Sequence, residues 1–459
     1  MTKTINIKQE QDNQIYARTD TMCDQAWNYV QFFPQRNAVN YCCRTSPLEV
    51  TDEEVADQGT NLFWNPRHVV QRRKDMLAGK RPRDCGVCWK LEDKGLQSKR
   101  TSHAMLYELR KSHPNVPPDG SDINADNAPW DTFYTSKNTR VLEIVLGNTC
   151  DSKCIYCSDY FSSLWAAEKR KYGEDVYLTW ENDFDSPLVK TFWEYFEEAW
   201  PTLPHVNFIG GEPLIIKDFF RYLDKMLEIG DRMSLILDQT TIDKKGLSIV
   251  TNGNTPSHLL DRFLEYSKKL SKYFNIHVQI SGENTEEQLE YVRFGTEWAQ
   301  WKENVEKYMT CSHIEVQFLP AVQLVTIPSM KNYIDFVREI FLKYKKPIKL
   351  NWASVDWPKE FNLDFIPLEV IPHIDDCLTS LRLFQIVSID EWQIKSIQYF
   401  IRSLQKVKDL SIEQNLNMVN NPTWGKNFVA FFDKLDQRRG TTWYKTFPEF
   451  AKLKELTYV

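Results

Sequence analysis

The sequence has no long apolar run. None of its 459 residues lie in a stretch approaching the roughly 20 consecutive apolar positions that a membrane-spanning helix requires, and the mean hydropathy is -0.50. The polar start, Met1 to Gln14, contains no apolar signal core, so a cytoplasmic location without membrane attachment is expected. A Gly-x4-Gly-Lys-Ser/Thr loop is missing, which excludes a P-loop nucleotide site. The eight histidines include no His-Glu-x-x-His, which leaves a zinc peptidase without ligands. Solenoid repeats and heptad runs are also missing. A net charge of -6 gives no global attraction to nucleic acid or to an anionic membrane. What remains is an ordinary globular composition, 42% hydrophobic and 26% charged, in a chain long enough for two or three domains of roughly 150 residues.

The ten cysteines are the informative residues, and eight of them fall in two groups. Without a secretory signal the thiols stay reduced, so close spacings suggest metal or cluster ligands in preference to disulfides. The tightest group, Cys150-Asp-Ser-Lys-Cys154-Ile-Tyr-Cys157, offers three thiolates within eight residues. A closed zinc site or a fully ligated cubane takes four protein ligands; three leave one iron open to a substrate or cofactor. The run follows a β-branched strand, Val141 to Leu146, and precedes a helix from about Ser162 to Lys171, which makes it a βα loop. Such loops gather at the C-terminal ends of strands, where α/β proteins bind ligands.

A second strand, His205 to Ile209, runs into Gly210-Gly211-Glu212-Pro213, where glycine lets backbone approach a ligand and proline fixes the exit. Leu247 to Thr251 ends in Asn252-Gly253, and Ile276 to Ile280 ends in Ser281-Gly282. Ile314 to Leu319 and Ile348 to Trp352 complete six strands, with patterned helices between them. The expected fold is α/β: a partial (β/α)6 TIM-type barrel with a small N-terminal Cys-rich cluster domain and a C-terminal helical region.

These motifs resemble the radical S-adenosylmethionine (SAM) superfamily, whose signature is this cysteine spacing with an aromatic residue, here Tyr156, before the last cysteine. The resemblance implies a 4Fe-4S cluster on Cys150, Cys154 and Cys157, with SAM on its open iron. It also implies that Gly210, Gly211, Glu212 and Pro213 meet the methionine amino group, and that Asn252, Ser281 and Arg293 lie near the ribose and carboxylate. One electron would then cleave the sulfonium C–S bond to a 5′-deoxyadenosyl radical, which takes hydrogen from a substrate. An external donor such as flavodoxin or ferredoxin is implied too.

The other group comprises Cys23, Cys42-Cys43 and Cys85-Gly-Val-Cys88, a four-thiolate site that by spacing alone suits zinc or a 4Fe-4S cluster. It resembles the twitch (shortened SPASM) domain, which implies an auxiliary 4Fe-4S cluster on Cys23, Cys42, Cys85 and Cys88. Asn37 stands where that family has glycine, and asparagine also visits left-handed geometry. Whether Cys42 or Cys43 ligates is left open, and the domain precedes the barrel where most relatives place it after. Relatives with auxiliary clusters mostly modify peptides or proteins, so a peptide-modifying maturase is the expected function. The alternatives are a small-molecule radical SAM oxidoreductase and a non-catalytic iron-sulfur or zinc protein that binds RNA.

The RNA alternative rests on residues 67–100, where eleven Lys/Arg face four Asp/Glu. The bland readings of that excess are compensation of a thiolate-ligated cluster, an interface, or a solvated helix face. The expected division is a cluster domain over 1–111, a Pro/Asp/Asn-rich linker over 112–138, the barrel over 139–358 and a mostly helical region over 359–459. In the last region Phe384, Trp392, Tyr399, Phe400, Phe428, Phe432 and Trp443 read as core-facing. Cys311 and Cys377 read as buried fillers.

Overall fold

The computed structural model describes residues 21, 23, 25–93, 98, 100, 137, 139–176, 184–236, 244–355, 357–363, 366–417 and 422–458. The expected linker therefore lies, apart from Lys137, outside the described residues. Compactness divides the chain into two units: Met1–Gly147, Thr179–Ile209 and Asp224–Leu247 form the first, and Asn148–Leu178, Gly210–Leu223 and Ser248–Val459 the second. This division by contact differs from the one by function at 111, 138 and 358, which remains a proposal.

In the first unit, Val141–Val145 pairs in parallel with His205–Ile209, Leu142 opposite Val206. On its other side it pairs in parallel with Tyr29–Phe33, Tyr29 opposite Val141. Ala38–Asn40 and Leu48–Glu49 then continue antiparallel. The cysteine-bearing N-terminal segment thus also contributes a strand, which its irregular sequence did not announce. Burial explains the pairing: Tyr29–Phe33 is buried along its whole length, as expected for a strand covered on both faces. Phe32 stacks on Phe192 at 4.2 Å between ring centroids, and Phe63 on Tyr195 at 4.8 Å. Phe192 and Tyr195 belong to the helix Pro187–Ala199, which starts cleanly because the Ser186 hydroxyl accepts from the Val189 amide and Pro187 tolerates the first turn.

In the second unit, Phe274–Ser281, Ile314–Leu319 and Ile348–Leu350 run parallel and in register, Val278 opposite Val316 and Val316 opposite Ile348. The end of Lys245–Thr251 lies beside Phe274–Ser281. Amphipathic helices Ser257–Leu270, Trp298–Thr310 and Ile327–Tyr344 separate these strands. Parallel strands joined by helices make the mixed α/β class expected from the sequence, consistent with a partial TIM-type barrel. No helix among the described residues is long and apolar enough to cross a membrane.

The C-terminal stretch forms helices Ile371–Val387, Glu391–Asn417 and Pro422–Arg439. Phe384, Phe400, Phe428, Phe432 and Trp443 are buried as expected, but Trp392 and Tyr399 are 67% and 54% exposed. The reason is helical phase: Ile397, Phe400 and Leu404 form the buried stripe, and Tyr399 lies about 200° around the helix from Ile397. Cys377 is buried, and Cys311 is half-buried with its thiol donating to the Lys307 carbonyl.

His68, packed edge-on to Tyr41, carries a pKa lowered to about 4, first by burial and then by Arg72, with Arg73 adding to it and Asp84 and Glu54 opposing. Its folded pKa lies below its unfolded value, so acidification favours the unfolded chain as pH falls from about 6.5 through 4. In denaturation curves at pH 7 and pH 5, the wild-type protein should lose more stability than the His68→Gln protein; equal losses would remove His68 from the account.

Candidate active site

The Cys150–Cys157 loop has almost no regular structure of its own and is fixed by its surroundings. The Ser163 amide donates to the Asn148 carbonyl at 2.7 Å and the Ser162 hydroxyl to the Ser152 carbonyl at 2.8 Å, closing the loop's base. Ser162 also caps the helix Ser163–Lys171 by accepting from the Trp165 amide. From that helix the Trp165 indole donates to the Cys154 carbonyl at 2.8 Å. Lys153–Cys154 forms a two-residue antiparallel ladder with Arg293–Phe294, Cys154 opposite Arg293. The Cys157 amide then turns back to the Cys154 carbonyl at 3.0 Å.

The Gly210–Pro213 segment is tied to the same loop. The Glu212 amide donates to the Thr149 carbonyl at 2.8 Å, and a Cβ on Gly211 would come within 2.2 Å of that oxygen. Only glycine fits there without moving backbone. The Glu212 carboxylate is fully buried and accepts from the Asn252 amide at 2.6 Å, the Thr251 hydroxyl at 2.9 Å and the Leu214 amide at 3.2 Å. Burial first, then Asp151, raises its pKa to about 8. Its side chain braces protein backbone within the turn that the resemblance places against the methionine amino group.

Asn252 donates to Asp151 at 2.5 Å and to the Ser152 hydroxyl at 3.2 Å, with the Cys150 sulfur 4.0 Å away. Gly253, at φ +80°, carries the chain past the Trp301 indole, where a Cβ would sit 2.5 Å from Nε1. Asp151 also accepts from Asn254 at 3.2 Å. Arg293 is held by a bidentate ion pair to Glu283, with contacts of 2.7 and 3.0 Å, and points Nη1 at the Cys154 sulfur from 3.8 Å. Glu283 also accepts from the Tyr156 hydroxyl at 3.2 Å, so both residues singled out from the sequence end on one buried acid. The Ser281 carbonyl accepts from Trp301 at 3.1 Å. Pro213 opens a short 3-10 turn.

Several functional neighbours escaped the sequence reading: Asp151, Asn254, Glu283, Trp165 and Arg439. Glu283 had one usable signal, an acid two residues past a strand end, but nothing local shows that it is buried and paired. Burial pushes all three thiols upward, Cys157 to about 12, while Arg293 and Arg439 pull Cys154 back. A thiolate here needs the positive charge of a bound metal.

In the first unit, Cys23, Cys42, Cys85 and Cys88 line one small cavity with Gln25, Arg44, Thr45, Val87 and Arg100. Cys42 faces it and Cys43 is exposed, with Gln25 Nε2 3.9 Å from the Cys43 sulfur. Asn37 takes the left-handed conformation, φ 48° and ψ 48°. Four arginines of the basic segment are held in ion pairs: Arg67 with Asp57, Arg72 with Asp84, Arg81 with Asp93 and Arg100 with Glu92. Arg73 is buried against the carbonyls of Ala26 and Trp64. Among the described residues no three His, Cys, Asp or Glu side chains converge as ligands of a single ion. Thiolates of a four-iron cluster sit on separate irons and do not converge in that way.

In the second unit, a loop carrying three thiols is braced by a glycine-glutamate turn. Residues 144–313 match the Radical SAM superfamily, and this stretch of the chain is a radical SAM domain. The family implies a 4Fe-4S cluster and SAM. No curated protein matches the chain. Among solved structures, Streptococcus suis SuiB bound to the precursor peptide SuiA aligns at 13% identity and TM-score 0.32, covering 68% of this chain and 58% of that one. SuiB alone aligns at 11% identity and TM-score 0.31, covering 64% and 53%, and SuiB bound to S-adenosylmethionine at 13% and 0.30, covering 59% and 50%. This chain thus spans little more than half of SuiB, and similarities this weak carry no function to it.

The residues fit the implied cluster. The loop offers three thiols, Gly211 leaves no side chain in the turn beside it, and Arg439 keeps one buried guanidinium nitrogen, Nη1, without a hydrogen-bond partner among the described residues. Gly211→Ala should displace Thr149 and the adjoining Cys150. Iron analysis after anaerobic reconstitution should show less than half the wild-type content per chain, and normal iron in that variant would refute the tight packing.

Proposed function

We propose that the protein is a radical SAM enzyme that takes hydrogen from a peptide or protein substrate, with its active-site cluster on Cys150, Cys154 and Cys157. The observation that carries this reading is the convergence of the loop, Glu212, Asn252 and Arg293 within one compact unit of a radical SAM domain. When bound, the cluster and SAM supply one-electron cleavage of the sulfonium C–S bond, giving methionine and a 5′-deoxyadenosyl radical that takes one hydrogen atom from the substrate. The chain's own part is positional. Glu212 and Asn252 lock the two loops together. As the resemblance implies, Gly210, Gly211, Glu212 and Pro213 meet the methionine end of SAM, and Asn252, Ser281 and Arg293 lie near its ribose and carboxylate. Tyr156 and Arg293 are both held by Glu283 beside Cys154.

In the first unit we assign Cys23, Cys42, Cys85 and Cys88 to an auxiliary 4Fe-4S cluster. The four thiols line one cavity, a ligand set that suits a 4Fe-4S cluster, with zinc the alternative for the same four residues. The peptide class of substrate rests on the auxiliary cluster, which in the resembled family accompanies peptide modification. An external one-electron donor completes the reaction.

Anaerobic reconstitution, dithionite reduction and SAM addition should yield 5′-deoxyadenosine by mass spectrometry. The Cys150→Ala/Cys154→Ala/Cys157→Ala protein should yield none. The Cys85→Ala/Cys88→Ala protein should keep part of that activity while its iron falls from roughly eight to roughly four per chain. A fully iron-loaded wild type that forms no 5′-deoxyadenosine with SAM and candidate peptides would overturn the reading.

A further inference from the structure

The C-terminal helix Pro422–Arg439 ends on two arginines whose roles differ. Gly440, at φ +71°, terminates the helix. Asp436 pins that end by accepting from the Trp443 amide at 2.7 Å, the Thr441 hydroxyl at 2.6 Å and the Tyr291 hydroxyl at 2.9 Å. Arg438 pairs with Glu174 and lies over the Tyr172 ring at 4.6 Å, an ordinary docking contact. Arg439 turns inward with its side chain 2% exposed. Its guanidinium lies over the Trp165 ring at 4.6 Å and the Phe294 ring at 5.3 Å. Trp165 is the indole bonded to the Cys154 carbonyl, and Phe294 belongs to the strand that pairs with Lys153–Cys154. Arg439 is thus packed against both supports of one thiol.

Its charge is only partly answered. Glu168 accepts from Arg439 at 3.4 Å but also pairs with Lys153, so one carboxylate serves two cations and the buried group carries a net positive charge. Arg439 Nη1 is buried and has no hydrogen-bond partner among the described residues, a costly condition for a charged donor.

We propose that Arg439 sets the reduction potential of the cluster held by Cys150, Cys154 and Cys157, the C-terminal helix delivering a fixed positive charge and an unused N–H donor to the Cys154 side. This rests on the cluster assignment made above. Reduction adds one negative charge to the cluster, and a buried cation beside it favours the reduced form. Arg439 acts through the cluster and is a tuning residue, without contact to substrate.

The test uses the full-length, anaerobically reconstituted protein. The cluster is identified by the change that SAM causes in its reduced-state paramagnetic resonance spectrum, and its midpoint is measured by potentiometric titration. Arg439→Gln should lower the ratio of reduced to oxidised cluster at a fixed potential about tenfold, which is 59 mV for a one-electron couple. Glu168→Gln, which removes a negative charge and keeps Arg439, should shift the midpoint the opposite way. It also gives an independent reading if the arginine variant folds poorly. Opposite shifts at full iron content support the proposal, because a merely structural role would not produce them. Unchanged midpoints, or shifts of the same sign, overturn it and leave the radical SAM reading intact. A wild-type protein whose cluster does not respond to SAM would overturn that reading itself.

Discussion

The three-thiol loop has little regular structure and is partly to fully buried along its length, so its backbone groups need partners from elsewhere. That constraint organises the second unit. Thr149 accepts from Glu212, Ser152 from Ser162, Cys154 from Trp165, and Ile155 donates to Val292. Each bond commits a different element to the loop's shape. The glycine at 211 follows from the closest of these approaches, and the serine cap at 162 from the need to start a helix directly after the loop.

Two buried acids hold what the backbone bonds leave loose. Glu212 ties the glycine-rich turn to the end of the Lys245–Thr251 strand by accepting from backbone and hydroxyl donors without a cation, and burial keeps it near neutrality. Glu283 faces a guanidinium and stays with Arg293, its second oxygen also accepting from the Ala321 amide at 3.3 Å. The same side chain chemistry serves two purposes because the local charge differs. One acid positions a turn. The other fixes the orientation of a cation and of Tyr156 beside the cluster loop.

The sequence made the order of strands and helices legible, because alternation of short apolar strands with amphipathic helices is a periodic signal and parallel pairing follows from it. It also singled out Cys150, Cys154, Cys157 and the Gly210–Pro213 turn, which lie close along the chain. Tyr29–Phe33 was not legible as a strand, since its identity depends on lying beside Val141–Val145, more than a hundred residues away. The same holds for Trp392 and Tyr399, whose exposure follows from helix phase that composition does not reveal.

The sequence by itself determined the spacing of the three thiols proposed as ligands, which fall within eight residues. It also determined the fold class. Only the tertiary structure decided what surrounds those thiols: that Glu212 braces backbone, that Arg293 belongs to Glu283, that Cys42 and not Cys43 lines its cavity, and that Arg439 lies beside the supports of Cys154. The reason is physical. Ligand spacing is local in the chain, whereas burial, charge compensation and pKa depend on groups brought together from distant positions by packing.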